Sequence, residues 1–176
     1  MEQIFDYQVQ QSLIESKGFD LMVMGRPEGP GCYCAANNII RKYTDQLSET
    51  YPYVVIDNEA GMEHLSRRTT HKVNILLIIS DPTVRGIRTA KRIDGLVDEL
   101  HLEIDRRVVI INRAADNDSL GLKRRAEEEG LPIAGIIPHD PVIAYFDLQG
   151  KPVFQMSHDS EAIQALFSIL DSLHIP

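Results

Sequence analysis

Five short apolar runs alternate with helix-like patterns along this chain. The runs occupy residues 19–24, 53–56, 75–79, 108–111 and 133–137, each nearly continuous in Val, Ile, Leu or Met. Such continuity is what strands buried on both faces require. Between the runs, apolar residues recur at helical spacing. Ile39, Ile40, Tyr43 and Leu47 share one face, and Ile87, Ala90, Ile93, Leu96, Val97 and Leu100 share another. Ile163, Leu166, Phe167, Leu170 and Leu173 give a final amphipathic segment. Residues 119–129 read as a charged, exposed helix stopped by Gly130 and Pro132. Strands alternating with helices predict an α/β fold: a doubly wound, mainly parallel sheet flanked by helices, in one domain over residues 1–176.

In such sheets ligands bind beyond the carboxyl ends of the strands. The residues that follow the five runs are 25–34, 57–61, 80–81, 112–113 and 138–140, and all five stretches are polar or glycine-rich. They predict one ligand-facing edge.

Composition narrows the function classes. Apolar residues make up 43% and charged residues 25%, as in ordinary globular proteins. The net charge of -8 argues against general nucleic-acid binding, which uses a basic face. No apolar run approaches the roughly 18 residues of a membrane span. The start, Met1-Glu2-Gln3-Ile4, has neither basic nor apolar signal-peptide character, so a cytoplasmic location is expected.

The two cysteines sit one residue apart, as Cys32-Tyr33-Cys34 after a loop rich in Gly and Pro. Two thiolates cannot complete a four-coordinate metal site alone. A symmetric dimer would bring the same pair from each chain and supply four sulfurs. Zn²⁺, Ni²⁺ and Cu⁺ all suit thiolates. The plainer alternatives are two small buried apolar residues or a strained local disulfide. The loop before the cysteines is not a phosphate loop, because no Gly-Lys-Ser or Gly-Lys-Thr occurs in the chain.

Tyr53-Val54-Val55-Ile56-Asp57 is an apolar strand ending in an acid, the pattern that places a carboxylate near Mg²⁺ beside a nucleotide. Many buried strands also end in Asp simply as a helix cap. The polar run that follows contains Gly61, whose backbone could approach a phosphate; an ordinary exposed helix start is the alternative. Asn112-Arg113 closes the fourth run, and an Asn amide can both accept from and donate to an adenine edge. It can equally serve as a turn residue. Pro138-His139-Asp140-Pro141 is a rigid turn that could border a base or simply form a loop. The six histidines show no metal-ligand spacing, and no Ser/His/Asp or paired-carboxylate group suggests a hydrolase.

Taken together, these residues resemble the CooC family, nickel-insertion accessory ATPases of carbon monoxide dehydrogenase with a MinD/ParA-like P-loop NTPase fold. The similarity rests most on the loop ending in Cys32-Tyr33-Cys34, the run from Asp57 to Thr70, and Ser80-Asp81-Pro82. Asn112-Arg113 and Ile137-Pro138-His139-Asp140-Pro141 match the wider MinD-like pattern. The resemblance implies that Cys32 and Cys34 bind Ni (or Zn) jointly with a second subunit of a homodimer. It implies Asp57 as the acid near Mg and Gly61 as a sensor of the terminal phosphate. Asn112 would read adenine, with Arg113, Pro138, His139 and Asp140 bordering the ATP. Carbon monoxide dehydrogenase would be the client, with no nucleic acid and no membrane as partners. The chain lacks the Gly-Lys-Thr loop with which family members begin. It is therefore expected to be the C-terminal part of such a protein, with a partial ATP site and no ATPase activity alone. The rival readings are a non-enzymatic metal-binding and dimerisation module, and a MinD/ParA-like partitioning protein.

Overall fold

The computed structural model describes residues 13–23, 33–58, 61, 65, 72–115 and 119–175, with backbone alone at 33–41 and 119–120. Two compact units divide between Ala36 and Asn37.

In the first unit, β1 (Leu13–Glu15) and β2 (Asp20–Met22) pair antiparallel, with Ile14 opposite Leu21. Gly18 turns the chain with φ at 96°, and the Ser16 N–H donates to the Phe19 carbonyl at 3.1 Å. Phe19, Leu21 and Val23 are exposed. This corrects the expectation of a buried strand over 19–24; Met24 lies outside the described residues. Three-residue strands leave too little surface to bury, and an isolated hairpin of this kind is marginal in water.

Helix α1 (Tyr33–Thr50) leads into the second unit. There follow β3 (Lys72–Ser80), α2 (Val84–Glu99), β4 (Glu103–Ala114), α3 (Ser119–Glu128) and β5 (Ile133–Pro138). The chain continues through α4 (Pro141–Leu148), a 3-10 turn (Val153–Gln155) and α5 (Glu161–Leu173). The sheet order is β3-β4-β5, and both pairs are parallel. The runs expected at 75–79, 108–111 and 133–137 thus form the strands of one sheet.

Successive side chains of a strand point to opposite faces, and β4 shows both faces covered. Val109 packs with Ile78, Ile87, Ala90, Ala126 and Leu131, a core shared with α2 and α3. Val108 and Ile110 pack instead with Ile169 and Leu173 of α5. This two-sided burial explains why the run is continuously apolar, and it establishes helices on both faces of a parallel sheet. Fully burying each such side chain contributes about 1.5–3 kcal/mol.

At Gly135 α5 approaches the sheet closely, since a Cβ there would collide with the Ile169 side chain. The charged expectation for 119–129 is met by α3, which ends with Gly130 at a φ of 69°.

One expected strand does not join the sheet. Residues 53–56 pair with no strand among the described residues, and Val55 is 91% exposed. The composition is right for a strand, but ladder bonds come from a neighbour and not from propensity. Among the described residues β3 has β4 as its one neighbour, and Ile79 near its end is 56% exposed.

Candidate functional site

The carboxyl ends of β3, β4 and β5 lie along one edge. Ser80 pairs with Ile111 and Ala114 with Pro138, with an irregularity in the ladder between Ile111 and Ala114. Asn112 and Arg113 occupy that irregular stretch. Arg113 adopts a left-handed φ of 59°, a conformation costing roughly 1–2 kcal/mol for a residue with a Cβ. The chain therefore leaves regular pleating at Asn112 and Arg113, the residues expected from the sequence to face a nucleotide.

An exposed ion pair links two strand ends. Arg113 Nη2 lies 3.1 Å from Asp81 Oδ1. Both side chains are well solvated, so the pair contributes about 0.2–1 kcal/mol. Ser80 is the buried polar residue beside it, and its Oγ donates to the Asp81 carbonyl at 3.0 Å. The next helix starts hard against this turn. Thr83 Oγ1 accepts from the Gly86 N–H at 3.0 Å, which caps α2. A Cβ on Gly86 would stand 2.5 Å from the Asp81 carbonyl oxygen and 2.8 Å from Ser80 Oγ. Only glycine lets the helix approach that closely.

On the other strand end, the His139 N–H donates to the Ala114 carbonyl at 2.8 Å and extends the β4–β5 ladder. Asp140 then caps α4, accepting from the Val142 N–H at 2.8 Å. Its second oxygen accepts from Ser160 Oγ at 2.6 Å. The Ser160 hydroxyl first, and the Val142 N–H second, hold the Asp140 carboxyl below its ordinary value. Asp140 is thus committed to two helix caps. Sequence reasoning missed Ser160, although a Ser directly before an acidic residue and an apolar helical face is a cap signal. It also gave no role to the Asp81–Arg113 pairing, which joins residues 32 positions apart.

The structure brings Asn112, Arg113, Pro138, His139 and Asp140 onto adjacent strand ends. Asn112 is half-buried, and its amide makes no hydrogen bond among the described residues. Both its donor and its acceptor are therefore uncommitted, next to the strand that ends in Pro138. Asp57 is exposed after the unpaired run and makes no hydrogen bond among the described residues. Gly61, at a φ of 113°, has open space around it. Cys32 lies outside the described residues, and Cys34 falls in the first turn of α1, where the backbone alone is described. Among the described residues there is no group of three or more His, Cys, Asp or Glu placed to hold a metal. No described helix is long and apolar enough to cross a membrane.

No family model matches the chain. It is 41% identical over 161 residues to an uncharacterized ATP-binding protein of Methanocaldococcus jannaschii, a match covering 92% of this chain and 64% of that protein. It is 30% identical over 152 residues to the carbon monoxide dehydrogenase accessory protein CooC of Rhodospirillum rubrum, covering 84% of this chain and 56% of that one. The septum site-determining protein MinD of Pyrococcus horikoshii, solved with Mg-ADP, superposes with a TM-score of 0.68 at 16% identity, over 94% of this chain and 68% of that structure. The chain spans less than two thirds of the length of these two sequence relatives. Its homologues are MinD/ParA-like ATP-binding proteins, and it carries their α/β fold.

Proposed function

We propose that this chain is part of a CooC-type maturation ATPase, in which nucleotide binding governs capture of a metal cargo by a homodimer. The observation that carries the nucleotide half is the unbonded, half-buried Asn112 amide at the β4 end, flanked by Arg113 and Pro138. These residues fit the adenine end of ATP. They do not fit the phosphate end, because the sequence has no Gly-Lys-Ser or Gly-Lys-Thr to cradle phosphates. Asp57 and Gly61 are assigned to the Mg and terminal-phosphate side on resemblance. Without the lysine and backbone amides, transition-state stabilisation is lost, so this chain alone binds nucleotide weakly and hydrolyses none.

The metal half rests on Cys32-Tyr33-Cys34 and on the relative named as a carbon monoxide dehydrogenase accessory protein. The cargo would be Ni²⁺ or Zn²⁺ held by Cys32 and Cys34 from both subunits, with a carbon monoxide dehydrogenase as client. Native mass spectrometry under reducing conditions, with added Ni²⁺ or Zn²⁺, tests this. A dimer carrying one ion, lost in the Cys32→Ser/Cys34→Ser variant, is the expected result. Equal metal uptake by that variant overturns the shared thiolate site. A second reading, a metal-binding module without nucleotide, is favoured by the missing lysine loop. It predicts that calorimetry with ATP·Mg²⁺ detects no binding and that Asn112→Ala changes nothing.

A further inference from the structure

The α2 helix carries a cationic face that the nucleotide and metal readings do not use. Four of the chain's 18 Lys and Arg stand within residues 84–92, with no acid among them, in a protein of net charge -8. Arg85, Arg88 and Arg92 fall at i, i+3 and i+7, which is one stripe of a helix about 10 Å long. All three are exposed, and none forms an ion pair with a described residue. By contrast, Lys91 of the same helix is held by Asp94 at 3.4 Å, and Arg107 is held by Asp94 and Asp98. Acids of this surface therefore leave the stripe uncovered.

The stripe lines a groove of about 640 Å³, whose walls also include Val84 and Glu129. Glu129 follows α3, which packs on the same core as α2. One turn earlier on α3, Arg125 has a buried Nε with no hydrogen-bond partner among the described residues. Val84 at the groove wall is itself exposed, offering an apolar contact.

We infer that this groove along α2, closed by Glu129, docks an acidic segment of a protein partner, with carboxylates at helical spacing facing Arg85, Arg88 and Arg92. Unpaired guanidinium groups recognise carboxylates through two parallel N–H bonds. The groove and its exposed Val84 suit an amphipathic helix laid along α2. A nucleic acid fits less well. A duplex carries one phosphate charge per roughly 1.7 Å of its axis, so the net charge of -8 repels it far more at long range than it repels a short segment with three carboxylates.

The test uses the full chain and a fluorescent 20-residue amphipathic peptide with Glu at i, i+3 and i+7, read by anisotropy at low and at moderate salt. The Glu→Gln version of the peptide is the first control. The triple variant Arg85→Ala/Arg88→Ala/Arg92→Ala is expected to bind about tenfold or more weakly, and salt should weaken the native protein similarly. A variant with the same charge change elsewhere, Lys42→Ala/Lys72→Ala/Arg106→Ala, is expected to bind as the native chain does. Both variants should keep the native thermal midpoint, since every substituted residue is exposed. The inference is overturned if the stripe variant binds normally, if the two variants lose equal affinity, or if the native chain does not bind the peptide. It is also overturned if a 20-base-pair duplex DNA binds more tightly than the peptide and loses affinity in the stripe variant, which would make the groove a phosphate-reading surface.

Discussion

Ser160 Oγ donates to Asp140 Oδ2 at 2.6 Å, and the same hydroxyl accepts from the Ile163 N–H at 3.3 Å. One serine therefore caps α5 and holds the residue that caps α4. The two helix starts are tied to the turn that leaves β5 at Pro138. Replacing Ser160 by Ala removes a cap and a hydrogen bond to a carboxylate together. The expected loss is about 1–2 kcal/mol, read as a lower urea midpoint with unchanged slope.

Acid should weaken this junction in a defined direction. The Asp140 carboxyl lies below its ordinary value because the charged form accepts from Ser160 and Val142. A group with a depressed folded value stabilises the protein fully above the unfolded value, about 3.9 for Asp. That contribution fades as the pH falls through the folded value. Asp98 behaves in the same sense, held down chiefly by its hydrogen bond from Arg107. Urea unfolding between pH 5 and pH 2.5 should therefore show a flatter acid decline in Asp140→Asn than in the native chain. An identical decline would remove Asp140 as a contributor.

The sheet and its helices were largely legible because burial on both faces leaves a continuous apolar run, as in Val108 through Ile111. Amphipathic spacing likewise foretold α2 and α5. Residues 19–23 and 53–56 are also rich in apolar side chains, yet among the described residues neither segment pairs with the parallel sheet, because pairing depends on a partner edge that composition does not encode. The strand-end positions of Asn112, Arg113 and Pro138 were legible because each closes an apolar run. The Asp81–Arg113 pair and the Ser160–Asp140 tie were not, since each joins distant positions through one side-chain atom. Helix α4 was also missed: Val142, Tyr145 and Leu148 are exposed, so no buried face writes a periodic pattern.

Gly86 brings α2 hard against the β3 end, and backbone rather than a flexible side chain blocks a Cβ there. Gly86→Ala must push the first turn of α2 away from Asp81, against the Thr83 cap. Helix propensity would favour Ala by roughly 1 kcal/mol, but overpacking against a fixed backbone costs about 1–3 kcal/mol. The expected outcome is net destabilisation by thermal unfolding. A rise in the midpoint would mean the turn relaxes freely.

Arg113 separates stability from ligand binding. Its ion pair with Asp81 is solvated, so Arg113→Ala should change unfolding free energy by less than about 1 kcal/mol. If the strand-end edge binds nucleotide as proposed, the same variant and Asn112→Ala should both weaken binding of a fluorescent ATP analogue. Equal binding by native and variant chains, with stability unchanged, would take the nucleotide away from this edge.

The unpaired run offers the sharpest contrast with the core. Ile110 is 1% exposed between α5 and the sheet, and Val55 is 91% exposed in a run of similar composition. Ile110→Ala should cost about 2–5 kcal/mol through lost transfer energy and a cavity. Val55→Ala should stay within about 0.5 kcal/mol, as surface changes do. Both are read from urea unfolding of this chain. A large loss at Val55 would show that residues 53–56 are buried in solution, either in the sheet or against a second copy, and repeating the measurement at several protein concentrations separates the two.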